Sequence, residues 1–450
     1  MNSSAWTAPI AAAPVCGDVS VPASKSLTNR YLLLAALADD AGRGTPSTVI
    51  NPLQSRDSQL MLAALERLGA GIEHLKVAGE PAVRITPISL GGGTSSPTAE
   101  TAAEPVAVDC GLAGTVMRFL PAVAALTGRR VFFDGDATAY HRPMGAVLEG
   151  LRGLGVQITE EGEPGFLPFT IHPHEQGLTG DEVTIDASAS SQFVSGLLLA
   201  AARFPRGLTL HHSGSQVPSL EHVEMTLKVL RDLGVEVDSP TPYSWRVQPG
   251  VIEPFTVRVE PDLSNAGPFL CAAAVTGGEV SMPGWPLSST QIGRRWPELL
   301  RDFGCDVKLE PTSDSTGTLY VRGPQRLSSP GVVDGTAELT PTVAALAALC
   351  PEETKFTSVQ HLRGHETDRL AALVAEIRRL GGQAEETDDG FRVLSPVRHG
   401  AEVFSYADHR MATFGAILGL VIPEVSVEDI GSTSKTMPDF PQRWKELVAP

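Results

Sequence analysis

One pattern occurs six times along this chain, and it restricts the fold more than any other feature: a short polar stretch running straight into an apolar helical segment. The polar stretches are Ser24-Lys25-Ser26, residues 109–115, residues 186–192, residues 262–265, Glu338-Leu339-Thr340 and Asp408-His409-Arg410. The apolar segments that follow are 31–38, 117–126, 193–202, 269–275, 343–349 and 411–420, so the repeat is roughly 70 to 90 residues long. A second pattern falls between these. It is an amphipathic helix that stops at glycine and passes into a short strand, at 65–72, 151–158, 230–237, 300–307 and 377–384. Gly69, Gly155, Gly234, Gly304 and Gly381 each follow the last apolar helix position, where a left-handed C-cap belongs. Leu-x-x-Leu-Gly is common in α/β proteins, but five copies in register with six helix starts are hard to reach by accident. A sixth copy is not visible. Alternation at 256–260 adds a strand. Each unit therefore reads as strand, helix, strand, helix, then one or two strands. With 450 residues, too many for one ordinary core, six units in two groups of three make two α/β domains. The Gly/Ser/Thr/Pro-rich residues 89–105 read as a loop inside the first domain.

The repeat has a chemical consequence. A helix that starts on small polar residues presents free backbone N–H groups, and those favour anions. The net charge of −17 argues against a nucleic-acid surface, so anion binding would require the cations to be concentrated. They are: Lys25, Arg30, Arg118, Arg142, Arg369, Arg410 and Lys435 sit at or near helix starts. Any one alone reads as a solvated surface charge. Several occupy equivalent positions in the repeat, and arginine suits bidentate contact with phosphate or carboxylate, so a small polyanionic ligand fits the set.

Other classes are disfavoured. Pro22-Ala23-Ser24-Lys25-Ser26 lacks the spacing of a nucleoside-triphosphate loop, and no Gly-x-Gly-x-x-Gly lies between a strand and a helix. Cys16, Cys110, Cys271, Cys305 and Cys350 have no metal or redox spacing and read as buried or inert reduced thiols of a cytosolic protein. No cluster has metal-ligand spacing, His211-His212 reads as a strand end, and neither metal nor organic cofactor is expected. Residues 1–14, without Lys or Arg, resemble neither a secretory signal nor a transit peptide. The apolar runs 194–202 and 416–422 are too short to span a bilayer. A cytoplasmic protein without nucleic-acid or membrane partners is expected.

Seven motifs then carry a family resemblance in order along nearly the whole chain. They are Pro22-Ala23-Ser24-Lys25-Ser26 with Asn29-Arg30, Ala113-Gly114-Thr115-Val116-Met117-Arg118-Phe119, Arg142-Pro143-Met144, Ser190-Ser191-Gln192-Phe193, His365-Glu366-Thr367-Asp368-Arg369-Leu370, Asp408-His409-Arg410-Met411-Ala412 and Ser434-Lys435-Thr436-Met437-Pro438-Asp439-Phe440. The chain resembles the 5-enolpyruvylshikimate-3-phosphate synthases. The resemblance implies the enolpyruvyl transferase fold: a two-domain inside-out α/β barrel, each domain built from three βαβαββ units. The repeat boundaries place a discontinuous domain at 1–21 plus 259–450 and a second at 22–258, and the resemblance puts the active site in the cleft between them. It implies a monomer that moves the carboxyvinyl group of phosphoenolpyruvate to the 5-hydroxyl of shikimate 3-phosphate.

The resemblance also carries roles onto matching residues. Lys25, Glu338 and Glu366 would be catalytic: Glu366 at the methylene carbon, Glu338 as base for the attacking hydroxyl where the family commonly has Asp. Lys25, Ser26, Arg30, Ser190, Ser191, Gln192, Glu338 and His365 would bind shikimate 3-phosphate. Lys25, Gly114, Thr115, Arg142, Gln192, Arg369, Arg410 and Lys435 would bind phosphoenolpyruvate. Gly114 leaves room beside that site, which implies glyphosate sensitivity. Departures from the pattern are His365 for a usual Lys, Leu112 and His361 for Asn, and Gln216 for a phosphate-binding Ser, with His222 where an aromatic hydroxyl often sits. A family that transfers the same group to UDP-N-acetylglucosamine shares the fold, but usually carries a reactive Cys in the segment matching 131–141, which here has none. A non-catalytic anion-binding homologue is the other alternative, disfavoured by the retained Lys25, Glu338, Glu366 and Lys435.

Overall fold

The computed structural model describes residues 5–38, 42–90, 104–173, 177–364 and 366–449. Most of the loop expected at 89–105 lies outside the described residues, and so does His365. Among the described residues twelve helices pair off along the chain: α1 (Lys25–Leu37) with α2 (Arg56–Leu68), α3 (Gly114–Ala124) with α4 (Gly145–Gly153), and α5 (Ser191–Ala201) with α6 (Glu221–Asp232). The series continues with α7 (Leu263–Thr276) and α8 (Trp296–Asp302), α9 (Thr340–Ala347) and α10 (Arg369–Arg379), then α11 (His409–Gly419) and α12 (Phe440–Val448).

The odd-numbered helices are the ones headed by the six polar stretches. Ser24, Ser190, Asp262 and Asp408 cap their first turns through side-chain oxygens. These helices are apolar nearly all round and buried to match; every residue of α3 and α9 is buried. The even-numbered helices are amphipathic. In α2 only Ser58, Met61, Ala64, Leu65 and Leu68 face inward, a single stripe. The five glycines predicted to stop these helices all take left-handed backbone, with φ between +79° and +109°.

The strands follow one plan. Around α3, α5, α9 and α11 the strand leading into the helix runs parallel to the strand after it. Val106–Asp109 pairs this way with Val131–Asp134, which continues antiparallel to Phe169–His172 and then Gln157–Glu160. Glu182–Ile185 and Leu208–His212 repeat the parallel pair around α5, as do Val332–Asp334 and Thr354–Thr357 around α9. Helices α1 and α7 instead exchange partners: Thr256–Arg258, before α7, pairs with Ser47–Ile50, after α1, and Cys16–Asp18, before α1, pairs with Glu279–Pro286, after α7. The chain divides into two compact units, Met1–Pro22 with Pro261–Pro450, and Ala23–Glu260, each with its own hydrophobic core. Within each, three buried helices form the centre, with the sheets and amphipathic helices around them.

The sixth copy of the second pattern exists as α12. It escapes the sequence because no glycine stop follows it, and because its sheet is completed from a distant segment: Ser426–Val427 pairs with Trp6–Thr7. Cys16–Asp18 likewise joins Glu279–Pro286. All five cysteines are free thiols. Four are buried, and Cys16 is exposed, on a strand with no buried residue. Among the described residues no helix is long and apolar enough to cross a membrane.

Candidate active site

In the unit formed by residues 23–260, side chains at the starts of α1, α3 and α5 are hooked together. Asn29 Nδ2 donates to Thr115 Oγ1 at 2.6 Å, joining α1 to α3. Arg118 Nη1 donates to Gln192 Oε1 at 2.8 Å, joining α3 to α5. Arg30 Nη2 reaches Ser195 Oγ at 3.3 Å, joining α1 to α5. Gly114 stands at the focus. A Cβ there would lie 2.8 Å from Arg142 Nη2, 2.9 Å from Gln192 Oε1 and 3.3 Å from Arg118 Nη1. Two guanidinium groups and an amide therefore converge on a bare α-carbon at a helix start, which is a place for an anion. Arg142 is aimed by a bond from Nη1 to the Leu112 carbonyl at 2.7 Å. That contact uses backbone, so Leu in place of Asn at position 112 does not disturb it.

Arg30 is 1% exposed. Its partners are neutral oxygens: Thr226 Oγ1 at 2.9 Å, the carbonyls of Ser26 and His222 at 2.9 Å each, and Ser195. Burial pushes its pKa down to about 9. Burial and the neighbouring charge of Arg142 do the same to Arg118, also to about 9. Lys25, by contrast, has an acid beside it: Asp57 at 3.4 Å.

The loop before α5 is built around His212, at the end of its strand. His212 Nδ1 accepts from the N–H of Ala187 at 3.0 Å and from that of Gly214 at 3.4 Å, which puts the ring proton on Nε2. Ser188 Oγ accepts from Ser215 N–H at 3.2 Å, and Ser190 Oγ from Gln192 N–H at 3.2 Å. Ser190 and Ser191 are thus set at the mouth of α5. Gln216 is exposed, and His222 contributes its carbonyl to Arg30.

The other unit gathers a second set. Arg369, 2% exposed, makes a forked pair with the wholly buried Asp408, at 2.7 Å from Nε and 3.2 Å from Nη2. Asp408 also caps α11, accepting from Arg410 N–H at 2.8 Å. Glu366 lies between His409 Nδ1, at 3.2 Å, and Lys435 Nζ, at 2.5 Å. Burial alone would raise the Glu366 carboxyl; His409, Lys435 and Arg369 outweigh it and hold the group well below the usual carboxylate range. Burial depresses His409 in turn, against the opposing pull of Glu366. The two directions agree if His409 is neutral and donates from Nδ1, leaving Lys435 and Arg369 to keep Glu366 ionised. His409 Nε2, buried without a hydrogen bond, is then an unused acceptor, cheaper than an unused donor. Glu338 sits in the 3₁₀ turn Ala337–Leu339 before α9 and accepts from Ser264 Oγ at 3.4 Å. Thr436 Oγ1 bonds Asn265 Oδ1 at 3.2 Å, fixing the Lys435 segment to α7.

Those of the expected residues that are described fall into two groups, one in each unit, each termed a half-site. Asp57, Asp408 and His409 were not singled out by sequence, although the last two lie inside a quoted motif. Arg118 was noticed as a cation but given no role; its position four residues after Gly114, one turn along α3, is the signal that places it there. Sequence spacing showed no metal cluster, yet Glu366, Asp408 and His409 bring three potential ligand atoms within 4.8 Å of one another. The correction is one of grouping only: Asp408 is engaged by Arg369 and Glu366 by Lys435, so the trio is part of an ion-pair network.

Comparison with known proteins bears on this arrangement. The family model described as EPSP synthase (3-phosphoshikimate 1-carboxyvinyltransferase) matches residues 10–444. A 3-phosphoshikimate 1-carboxyvinyltransferase from Kocuria rhizophila is 52% identical over 448 residues, 98% of this chain and 96% of that protein. The solved EPSP synthase of Acinetobacter baumannii superposes with a TM-score of 0.78 at 23% identity, covering 99% of this chain and 97% of its own. The enolpyruvyl transferase NikO of Streptomyces tendae does so with 0.68 at 18% identity, covering 98% and 97%. These last two establish the shared two-domain enolpyruvyl transferase fold. With the family match running through both half-sites and half of all residues shared with one member, the chain belongs to the EPSP synthase (3-phosphoshikimate 1-carboxyvinyltransferase) family.

Proposed function

We infer that this protein transfers the carboxyvinyl group of phosphoenolpyruvate to the 5-hydroxyl of shikimate 3-phosphate, releasing phosphate, in the shikimate pathway. The observation that carries this is the 52% identity, over nearly the whole chain, to a 3-phosphoshikimate 1-carboxyvinyltransferase. The half-sites supply roles for the residues. Arg30, Lys25, Ser26, Ser190, Ser191 and Gln192 hold shikimate 3-phosphate. Arg142, Arg118, Gln192, the mouth of α3 at Gly114 and Thr115, and Arg369, Arg410 and Lys435 hold phosphoenolpyruvate. The protein acts as a monomer in the cytoplasm without a cofactor.

In the addition step the 5-hydroxyl gives its proton to Glu338 while its oxygen attacks C2 of phosphoenolpyruvate, and C3 takes a proton from Glu366. A tetrahedral ketal results. In the elimination step C3 returns a proton to Glu366, the C2–O bond to phosphate breaks with its electron pair on phosphate, the vinyl group is restored, and the released phosphate takes up, by way of solvent, the proton that Glu338 received. The cations around the anions stabilise charge as it shifts. Glu366 must carry a proton to begin. The incoming phosphate and carboxylate draw on Lys435 and Arg369, which weakens the field that keeps Glu366 ionised, so the carboxyl gains its proton as substrate arrives.

Phosphate release from phosphoenolpyruvate, with shikimate 3-phosphate or UDP-N-acetylglucosamine as acceptor, tests the reading. Release with the first alone, lost in Lys25→Ala and Glu366→Ala, is expected. Release with the nucleotide sugar would overturn the acceptor, and release with neither would point to an anion-binding homologue.

A further inference from the structure

One fully buried carboxylate has no part in the chemistry above. Glu376, on α10, is 0% exposed. Its Oε1 accepts from the Tyr406 hydroxyl at 2.7 Å, and its Oε2 accepts from Phe404 N–H at 3.2 Å and from Arg379 Nε at 3.1 Å. The Arg379 guanidinium also lies over the Phe404 ring, 4.2 Å from its centroid. A buried acid fully occupied in this way ties α10 to one short segment, residues 404–406.

That segment is strained. Tyr406 and Ala407 are consecutive and both left-handed, at φ +54° and +55°. Residues with a β-carbon disfavour this region, and neither has the short polar side chain that eases it for Asn or Asp. The next residue is Asp408, and after it come His409 and Arg410. Strain of this kind persists only where the surroundings impose it. Here the constraints are visible: Glu376 holds Phe404 and Tyr406 from one side, and Asp408 N–H donates to the Ser405 carbonyl at 2.9 Å on the other. The same helix α10 carries Arg369 seven residues before Glu376, on the same face, and Arg369 is the partner of Asp408. One rigid element therefore holds the strained turn and grips the residue just beyond it.

We propose that Glu376 is a positioning residue of the phosphoenolpyruvate half-site. By holding the Tyr406 hydroxyl and the Phe404 amide it keeps Tyr406 and Ala407 left-handed, and so sets where Asp408, His409 and Arg410 stand relative to Arg369 and Glu366. Relaxation of the turn would swing the start of α11 and uncouple His409 from Glu366. The proposal rests on the assignment of Glu366, Arg369 and Arg410 to that half-site.

Steady-state kinetics and thermal melts on the full-length enzyme test it. Tyr406→Phe deletes one hydrogen bond without changing the ring, and Glu376→Gln keeps the shape of the acid without its charge. Tyr406→Phe is expected to lower kcat/KM for phosphoenolpyruvate about tenfold, and Glu376→Gln about 10- to 100-fold, with KM for shikimate 3-phosphate within about twofold of the parent. Ala407→Gly alone should stay near parental activity. Combined with Tyr406→Phe it should recover most of the loss, because glycine adopts the left-handed conformation unaided. A lowered melting temperature with kcat/KM for phosphoenolpyruvate unchanged would make Glu376 a stabiliser only and overturn the proposal. Failure of Ala407→Gly to rescue, or an equal loss in shikimate 3-phosphate KM, would overturn it too. If Glu376→Gln does not fold, the Tyr406→Phe and Ala407→Gly pair decides alone. Glu366→Gln and Arg410→Gln serve as controls: full activity in those would sink the half-site assignment itself, a separate failure.

Discussion

The buried arginines of the two units are held in opposite ways. Arg30 and Arg118 rest on hydroxyls, carbonyls and an amide, and among the described residues no carboxylate pairs with either. Arg118 Nε is buried without any partner. Arg369 is as deeply buried, but Asp408 meets it in a forked pair; burial pulls its pKa down, and Asp408 together with Glu366 and Glu338 more than restores it. Lys435 likewise already holds Glu366. One half-site therefore buries two guanidinium groups, Arg30 and Arg118, that no described carboxylate pairs, although Lys25 there has Asp57; in the other, Arg369 and Lys435 are paired with acids in advance. An anion arriving at the first supplies the missing charge. An anion arriving at the second must compete with acids already in place, and one of those acids, Glu366, is the group proposed above to pick up a proton. On the proposed roles, the difference separates a region that binds from a region that binds and reacts.

The largest effect is expected at the pre-paired acid. Glu366→Gln should cut kcat by about 10³-fold, the scale of a lost general acid–base. It should also leave phosphoenolpyruvate binding intact or tighter, since Lys435 and Arg369 lose a competitor. Phosphate release and direct titration with phosphoenolpyruvate measure the two separately. Weaker binding in this variant would mean that Glu366 is not competing for the cations, and the contrast between the halves would fail.

The next test sets the arginines against each other. Arg369→Met strands Asp408, 0% exposed, without its cation, which costs about 3–5 kcal/mol of stability. Arg30→Met removes a charge whose burial is unpaid, so stability should hold or rise slightly, while shikimate 3-phosphate binding weakens about 10- to 100-fold. Urea denaturation midpoints read the first quantity and equilibrium titration the second. Equal destabilisation by both substitutions would show that the hydroxyl partners of Arg30 serve as well as a carboxylate does.

The sequence and the structure divide the information about these sites unevenly. Helix starts and glycine stops were legible because they depend on local rules: a capping oxygen, a residue free to be left-handed, an apolar stripe. The convergence on Gly114 was legible only as a resemblance, since nothing in the spacing of Gly114, Arg142 and Gln192 says that their side chains meet. Asp57 beside Lys25 and Glu376 beneath Tyr406 were invisible, because an acid that pairs across 30 residues has no periodic signature. The sixth repeat failed for a different reason: its sheet is completed by Trp6–Thr7, at a sequence distance no local pattern spans. Around residues 213–224 the family pattern breaks down, yet the loop is well defined by His212, whose role depends on which ring nitrogen carries the proton.

Gly114→Ala sharpens the comparison from the binding side. Its Cβ would fall within 3.0 Å of Arg142 Nη2 and Gln192 Oε1, so both side-chain ends must move. These are the flexible ends of long side chains, so the fold should tolerate the change. The expected result is a rise of about tenfold in KM for phosphoenolpyruvate with little change in melting temperature. A loss of kcat as large as the rise in KM would indicate that the cluster also serves the transition state, against the division drawn here.

The smallest effect is also the most direct measure of that division. In the free enzyme Glu366 is held below its usual range, so it is ionised at neutral pH. If phosphoenolpyruvate diverts Lys435 and Arg369, the carboxyl becomes harder to ionise and its pKa rises toward the working pH. Binding should then take up a fraction of a proton, and by linkage affinity for phosphoenolpyruvate should fall as pH increases through that range. Calorimetric titration in buffers of different ionisation enthalpy measures the uptake. The substrate's own phosphate also titrates, but it does so equally in Glu366→Gln, so the difference between parent and variant isolates the carboxyl. Binding at the other half-site, where Arg30 and Arg118 have no acid to release, should show no comparable difference. Identical proton uptake in parent and variant would mean that Glu366 keeps its charge through binding, and its proton would then have to come from Lys435 within the complex.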